Sequence, residues 1–365
     1  MIPAPSAPRV VLGMTLWNNA RHLREAADSL MGQTYQDFAL LMLDDGSTDD
    51  TERVAREYER RDPRVRYCRH ERRQGMVPTW REVVEIAERD IPRAEYFAWV
   101  SDHDRWHPAW LARMVAELDA APDVVLVYPV TLRIDEQGAP ADNEPRSFQT
   151  VGIADIASRW RAFCYHGVGS GDMVYGLMRL EALRAAGIFR PVLSPDRLLL
   201  AELTLQGQIR QVPEPLWWRR QSAVASVTRQ RTTLFAGPPP RWFGWPPTVQ
   251  HAIAVVQAYR RTAAPPVRVT APRLAWMLAL YLVTSAWRHF RKTDASKSVG
   301  RGVDNARWVK KIIRKGFHHA VYYTLVGVRK LQGRCRRAGR RAVYELLMLT
   351  HRMGFRGPRG GARTP

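Results

Sequence analysis

Two pairs of acids punctuate the first third of the chain, Asp44 with Asp45 and Asp102 with Asp104. Each closes an apolar run, FALLML (38–43) and YFAWVS (96–101). Runs of that length and polarity fit strands buried on both faces of a sheet. Gly46 and Ser47 turn the chain after the first pair, and Asp49 with Glu52 has the spacing of a helix N-cap and capping box. Open α/β sheets bind ligands at the carboxyl ends of their strands. A bare carboxylate pair repels phosphate, so Asp44 and Asp45 suit the hydrogen-bond donors of a base or ribose; an Asx-type turn with solvated acids is the alternative. Parallel strands bring both pairs, about 55 residues apart in sequence, to one side of the sheet. Four carboxylates there need a cation, and a DxD turn of hard oxygen ligands suits Mg²⁺ or Mn²⁺ bridging to substrate phosphates. Helix capping near Pro108 competes as the role of Asp102 and Asp104. His103 and His107 beside two acids also imitate a transition-metal site.

The elements that must position these acids are legible as alternating strands and helices. Strands are expected over Val10–Trp17, Phe38–Leu43, Val65–Cys68, Tyr96–Ser101 and Val124–Tyr128. Helices are expected over Ala20–Met31, Thr51–Arg60, Trp80–Ala87 and Trp110–Leu118. In the first helix Leu23, Ala26, Ala27 and Leu30 recur at intervals of three and four, which predicts a buried face. This alternation means βαβ units and a mostly parallel sheet. Beyond about residue 130 the pattern loosens into hairpin-like and loop segments. A helix is expected near Leu180–Ala186, order returns at Met173–Met178 and Arg197–Leu205, and Gln208–Arg220 reads as two short strands joined by a Pro-rich turn. PPPRWFGWPP (238–247) reads as linker.

The chain of 365 residues, 45% hydrophobic and 25% charged, is ample for a full core and about two domains. Its net charge of +21 is unevenly placed. Residues 1–235 hold 30 Lys and Arg against 32 Asp and Glu, whereas residues 236–365 hold 26 against 3. The C-terminal third therefore expects an anionic partner, either nucleic acid or an acidic membrane surface. Cys68, Cys164 and Cys335 are scattered without a CxxC pair, as in a reduced cytosolic chain. MIPAPSAPR lacks the apolar core of a signal peptide. The stretch Leu274–Trp287 is short of a spanning helix and reads as buried or interfacial.

From about Val10 to Ser222 the sequence resembles glycosyltransferase family 2, nucleotide-sugar enzymes of the GT-A fold. GMTLWNNARHLREAADSLMGQTYQDF (13–38) is similar to that family's first strand and helix, with Trp17 and Asn18 where Tyr-Asn is usual. LDDGSTDDT resembles its nucleotide-binding turn, FAWVSDHDRWHPAWL its DxD strand and helix, and VPEPLWWRRQS its late strand and basic corner. The resemblance implies donor contacts from Trp17, Asn18, Asp44, Asp45 and Asp102, with Asp44 at the base and Asp104 and Asp102 as ligands of Mn²⁺ or Mg²⁺. In LSPDRLLLAEL it implies Asp196 as catalytic base; an Asp opening a helix is also an ordinary cap. Arg219 and Arg220 are candidates for the diphosphate, Arg220 slightly favoured, or are solvated edge charges. Departures are Pro195 where Glu is frequent, and Thr79 and Arg81 where Asn is frequent. No QxxRW motif follows Asp196 and no set of spanning helices is present, which excludes a processive polysaccharide synthase.

The expected organisation is a GT-A catalytic domain over 1–230, a Pro-rich linker over 231–270 and a basic helical extension over 271–365. Helices of that extension are expected at 274–290, 306–315, 319–331 and 342–353, with a disordered Gly- and Arg-rich end. Trp276, Trp287, Trp308, Phe317, Tyr322 and Tyr323 among Arg and Lys suit segments lying on an anionic bilayer. A bundle with a solvated basic face is the alternative, and no recognised nucleic-acid-binding motif accompanies the charge. The expected function is inverting, metal-dependent transfer of one sugar from a nucleotide-diphosphate donor to a glycan or lipid-linked acceptor. Such an enzyme would serve polysaccharide biosynthesis for the cell envelope, cytoplasmic and peripheral to the inner face of the membrane. A non-catalytic GT-A module that binds a nucleotide sugar, and a basic nucleic-acid-binding protein, are the other two readings.

Overall fold

The computed structural model describes residues 8–141, 147–167, 170–221, 234–237, 241–261 and 269–297. The expected helices at 306–315, 319–331 and 342–353, and the C-terminal end, lie outside the described residues. Two compact units divide the chain, Met1–Arg268 and Val269–Pro365.

The first unit is built on a mostly parallel sheet. Strands β1 (Val10–Leu16), β2 (Phe38–Asp44), β3 (Val65–Arg69) and β4 (Tyr96–Val100) alternate with helices α1 (Ala20–Met31), α2 (Thr51–Arg61) and α3 (Met76–Asp90). The short β5 (Arg105–Trp106), α4 (Trp110–Ala120) and the long β6 (Val124–Ile134) follow. The later elements are α5 (Ile156–His166), α6 (Ser170–Met173), β7 (Leu177–Arg179), α7 (Leu180–Ala185), α8 (Pro195–Gln206) and β8 (Gln208–Arg220). All eight strands join one sheet in the order β3-β2-β1-β4-β7-β6-β8-β5.

Every residue of β2 is buried, as its unbroken apolar run requires of a strand covered on both faces. The buried face of α1 is Leu23, Ala26, Ala27 and Leu30, the set its periodicity marks. β1 runs parallel to β2 from Val10↔Phe38 to Leu16↔Asp44, and parallel to β4 from Val10↔Tyr96 to Met14↔Val100. These registers carry the carboxyl ends of three strands to one edge, where Trp17, Asp44 and the 101–104 turn emerge.

Gln208–Arg220 is one 13-residue strand rather than two. It pairs in parallel with β6, and register shifts between Pro129 and Thr131 take up the residues around Pro213 and Pro215. Such bulges are where a sheet tolerates proline. The end of β8 also pairs antiparallel with β5, through Arg105↔Trp218 and Trp106↔Trp217. The DxD turn is thereby fastened to the Arg219-Arg220 corner.

Within the expected linker, Arg241–Gly244 forms a 3₁₀ turn and Pro247–Arg261 forms helix α9. Residues 234–236 lie against the start of α3: Val77 N donates to Leu234 O at 3.1 Å and Ala236 N to Gln74 O at 3.0 Å. Gly75, at φ 98°, admits this approach, because a Cβ there would stand 2.5 Å from Phe235 Cα. The second unit shows helix α10 (Ala271–Lys297), which contains the expected apolar stretch. No helix among the described residues is long and apolar enough to cross a membrane.

Candidate donor and acceptor site

At the end of β1, Asn18 takes a left-handed backbone (φ 50°) that turns the chain onto the β2–α2 loop. Its N–H donates to Ser47 Oγ at 3.0 Å, and its Oδ1 accepts from Thr48 N at 2.7 Å. Trp17 projects with 46% of its surface exposed, and the Arg73 guanidinium lies 3.8 Å from its ring centroid. The neighbouring Asn19 reaches the other acidic turn, its Nδ2 donating to Asp102 O at 3.5 Å and lying 3.4 Å from His103 Nδ1.

Asp44 is fully buried, and its oxygens accept from Ser47 N and Tyr67 Oη, each at 2.8 Å. Asp45 holds the loop before α3: Oδ1 accepts from Gln74 N at 2.6 Å and Oδ2 from Gly75 N at 2.9 Å. His70 stands between two carboxylates, its Nδ1 3.1 Å from Asp45 Oδ1 and its Nε2 2.9 Å from Glu82 Oε2. Both acids shape this edge, Asp44 through its own turn and Asp45 through the neighbouring one.

In the DxD turn, Asp104 is 1% exposed, and its Oδ1 accepts from Arg220 N at 2.8 Å. Its Oδ2 is buried without a hydrogen-bond partner. Burial raises the Asp104 pKa, against the pull of His103, Arg219 and the Arg220 amide. Asp102 Oδ1 lies 2.7 Å from His103 Nδ1. Burial opposes a charge on His103, yet the bond to Asp102 and the nearby Asp104 outweigh it and raise its pKa. Among the described residues no group of three or more His, Cys, Asp and Glu side chains is gathered as a metal cage. That leaves the His103/His107 transition-metal reading without a ligand set. The orphaned Asp104 oxygen with Asp102 beside it does fit Mg²⁺ or Mn²⁺, which take one or two protein carboxylates and complete their shell with phosphate and water.

The two arginines of the basic corner differ. Arg220 is 4% exposed and spends its guanidinium on protein: Nε donates to His103 O at 2.9 Å, Nη1 to Asp135 O at 2.8 Å and Glu136 O at 2.9 Å, and Nη2 pairs with Glu25. Arg219 Nη1 donates to Gly171 O at 2.7 Å and Asp172 Oδ1 at 2.5 Å, and its charge bears on Asp104 and His103. An open cavity of about 370 Å³ at this edge is lined by Asn18, Asn19, Asp49, His103, Glu136 and Arg220 among others.

Asp196 is half-buried in the first turn of α8 behind Pro195. Its charge and those of the DxD acids all bear on Tyr175, a residue that no sequence motif marks. Burial drives the Tyr175 pKa up; Arg219 lowers it, while Asp104, Asp102 and Asp196 all raise it. Its ring packs on Trp80 and Trp217, with centroids 5.6 and 5.2 Å away, beneath the Arg219 guanidinium at 5.5 Å.

A mostly parallel α/β sheet with acids at its strand ends is the architecture expected of a GT-A fold. A family model described as glycosyl transferase family 2 matches residues 12–167. A putative glycosyltransferase of Bacillus subtilis, EpsE, is 25% identical over 266 residues, 71% of this chain and 85% of its own length. An uncharacterized glycosyltransferase of Rickettsia felis is 29% identical over 36% of this chain and 21% of its own length. The chain spans only 13 to 47% of the length of three of the curated relatives it matches. Among solved structures, the 1–349 fragment of S. aureus TarS superimposes with a TM-score of 0.51 at 13% identity, over 80% of this chain and 75% of the fragment. The same fragment in complex with UDP-GlcNAc gives 0.50 at 13% identity, over 76% and 72%. These two likenesses show the fold. Residues 12–167 are thus similar to glycosyl transferase family 2, and the sheet has the GT-A fold.

Proposed function

We propose that the chain transfers a single sugar from a nucleotide-diphosphate donor to an acceptor hydroxyl, with inversion and with a divalent cation. The observation that carries this reading is the acidic edge at the carboxyl ends of β2 and β4, where a buried oxygen of Asp104 stands without a hydrogen-bond partner near Asp102. The S. aureus fragment that shares the fold binds UDP-GlcNAc, which makes uridine-diphosphate sugars the first donors to try.

Trp17, Asn18, Asp44 and Asp45 form the base and ribose end of the donor site, and Asp102 the diphosphate end. Asp104 and Asp102 would hold Mn²⁺ or Mg²⁺, which would supply positive charge to the leaving diphosphate. Asp196 accepts the acceptor's proton as its oxygen forms the new bond to the anomeric carbon and the bond to the diphosphate breaks. Arg219 adds positive charge at the leaving group, while Arg220 fixes the corner from which it reaches. The experiment is transfer by the wild type from a panel of nucleotide sugars with and without Mn²⁺, alongside Asp104→Ala. Transfer lost in the variant supports the reading. Nucleotide binding without transfer by the wild type would leave a non-catalytic binding module.

The acceptor is a glycan or lipid-linked sugar, and the setting is the cytoplasmic face of an envelope membrane. The support is chemical: 26 Lys and Arg against 3 acids in residues 236–365 suit an anionic bilayer, each bound cation contributing about 1 kcal/mol. Co-sedimentation with phosphatidylglycerol vesicles, lost at high salt and absent with phosphatidylcholine, tests this.

A further inference from the structure

Helix α9 lies outside both the family-matched residues and the expected catalytic domain, yet two of its buried side chains reach the turn that presents Asp196. Gln250 Oε1 accepts from Leu193 N at 3.0 Å, and His251 Nε2 lies 2.6 Å from Leu193 O. Gln250 and His251 are 2% and 1% exposed. The amide of Gln250 is itself fixed, Nε2 donating to Trp245 O at 2.9 Å. Both backbone groups of Leu193 are thus taken by one helix from 57 and 58 residues away.

The next residue explains the need. Ser194 sits at φ 52°, ψ 56°, left-handed and directly before Pro195. A non-glycine residue in that region is strained, and a following proline favours extended backbone instead. Such a conformation persists only where its surroundings over-determine it, and it is typical of functional sites. From the other side Arg197 Nη1 donates to Gly167 O at 3.2 Å. The turn is therefore pinned on both flanks of Ser194, and what the pinned turn delivers is the carboxylate of Asp196. Burial pushes His251 down to about 4, so near neutrality the ring is uncharged and carries its proton on Nε2, toward Leu193 O.

We propose that Gln250 and His251 are positioning residues for the transfer reaction, holding the 193–196 turn in the strained form that aims Asp196 at the acceptor. This rests on the assignment of Asp196 as base. Their hydrogen bonds described above go to Leu193 and Trp245, so the effect falls on turnover and not on donor affinity.

The test compares H251L, which keeps bulk and removes the donor, with H251Q, whose amide can donate to the same carbonyl. H251L is expected to lower kcat by 10- to 100-fold, with donor KM and nucleotide Kd within twofold of wild type, and H251Q to recover most of the loss. H251L turnover within twofold of wild type overturns the proposal, as does an equal loss of nucleotide binding, which marks general destabilisation. In wild-type protein the Leu193 amide should exchange with deuterium as slowly as core amides; fast exchange overturns the clamp even where H251L does not fold. Absence of transfer by the wild type overturns the enzymatic reading instead, and the Leu193 exchange still reports on the clamp.

Discussion

The two sides of the candidate site are built by different means. On the proposed donor side, Asp44, Asp45, Asp102 and Asp104 follow directly from strand ends, and their partners lie in their own turns, in β3 and the loop after it, and at the end of β8. On the acceptor side, Asp196 stands on a strained turn held by side chains of a helix more than fifty residues later. The first arrangement is held by strands and the loops between them, the second by a helix outside the sheet. The first forms whenever the sheet forms, whereas the second adds a dependence on α9.

Asp196→Asn probes the acceptor side most directly. A base of this kind contributes about 10²–10⁴-fold, so kcat should fall by about 10³-fold with donor affinity unchanged; normal transfer by this variant would remove Asp196 from the chemistry. On the donor side, Asp45→Ala strips the acceptors from Gln74 N and Gly75 N, and unsatisfied buried groups of this kind cost about 1–3 kcal/mol each. It should raise the nucleotide Kd about tenfold or more and lower the urea midpoint, with kcat changed less. An unaltered Kd would break the contrast between the two sides.

A pH effect should separate α9 from the sheet. His251 has its pKa depressed to about 4, so between there and its ordinary value near 6.5 the unfolded chain binds the extra proton. Stability from this group therefore rises with pH across that window, is full above it, and is lost below, amounting to about 3 kcal/mol. Glu202, pushed up to about 7 by burial against its Arg190 partner, works in the opposite sense, since the folded chain holds its proton longer. Urea unfolding of wild type and H251Q at pH 7 and pH 4.5 isolates the histidine, because Glu202 is common to both. The difference between the two proteins should shrink at the lower pH. The smallest effect belongs to Arg9, which bonds Asp119 and Glu95 at the sheet's amino edge, away from either side of the site. It is about one-third exposed, so Arg9→Ala should cost only about 0.5–1 kcal/mol and leave kinetics unchanged.

The same contrast governs what the sequence discloses. Apolar runs ending in acids mark β2 and β4 without ambiguity, because a strand covered on both faces has no room for polar residues until it leaves the sheet. β8 reads as two strands because two prolines normally interrupt a ladder, and the bulges that absorb them depend on β6. The prolines around 238–247 suggest a linker, and they hide the 3₁₀ turn and α9 that follow. The stretch TVQHAIAVVQAY carries an apolar helical pattern without a single acid, which was the available signal for a docked helix. Tyr175 and His251 had no such signal. A lone tyrosine or histidine acquires its meaning only from what tertiary packing sets beside it. Arg219 and Arg220, adjacent in sequence, point alternately because strand side chains do; their opposite employment needed the positions of Asp172 and His103.

The contact of residues 234–236 with the start of α3 bears on where this protein can be cut. A chain ending at residue 230 would strip the acceptor from Val77 N, the donor from Gln74 O, and the cover from Gly75, whose missing side chain exists to admit Phe235. It would also release Leu193 from α9. The sheet would survive such a truncation, but the loop below Asp45 and the turn below Asp196 would slacken together. The shortest chain that retains both is one that runs through Arg261.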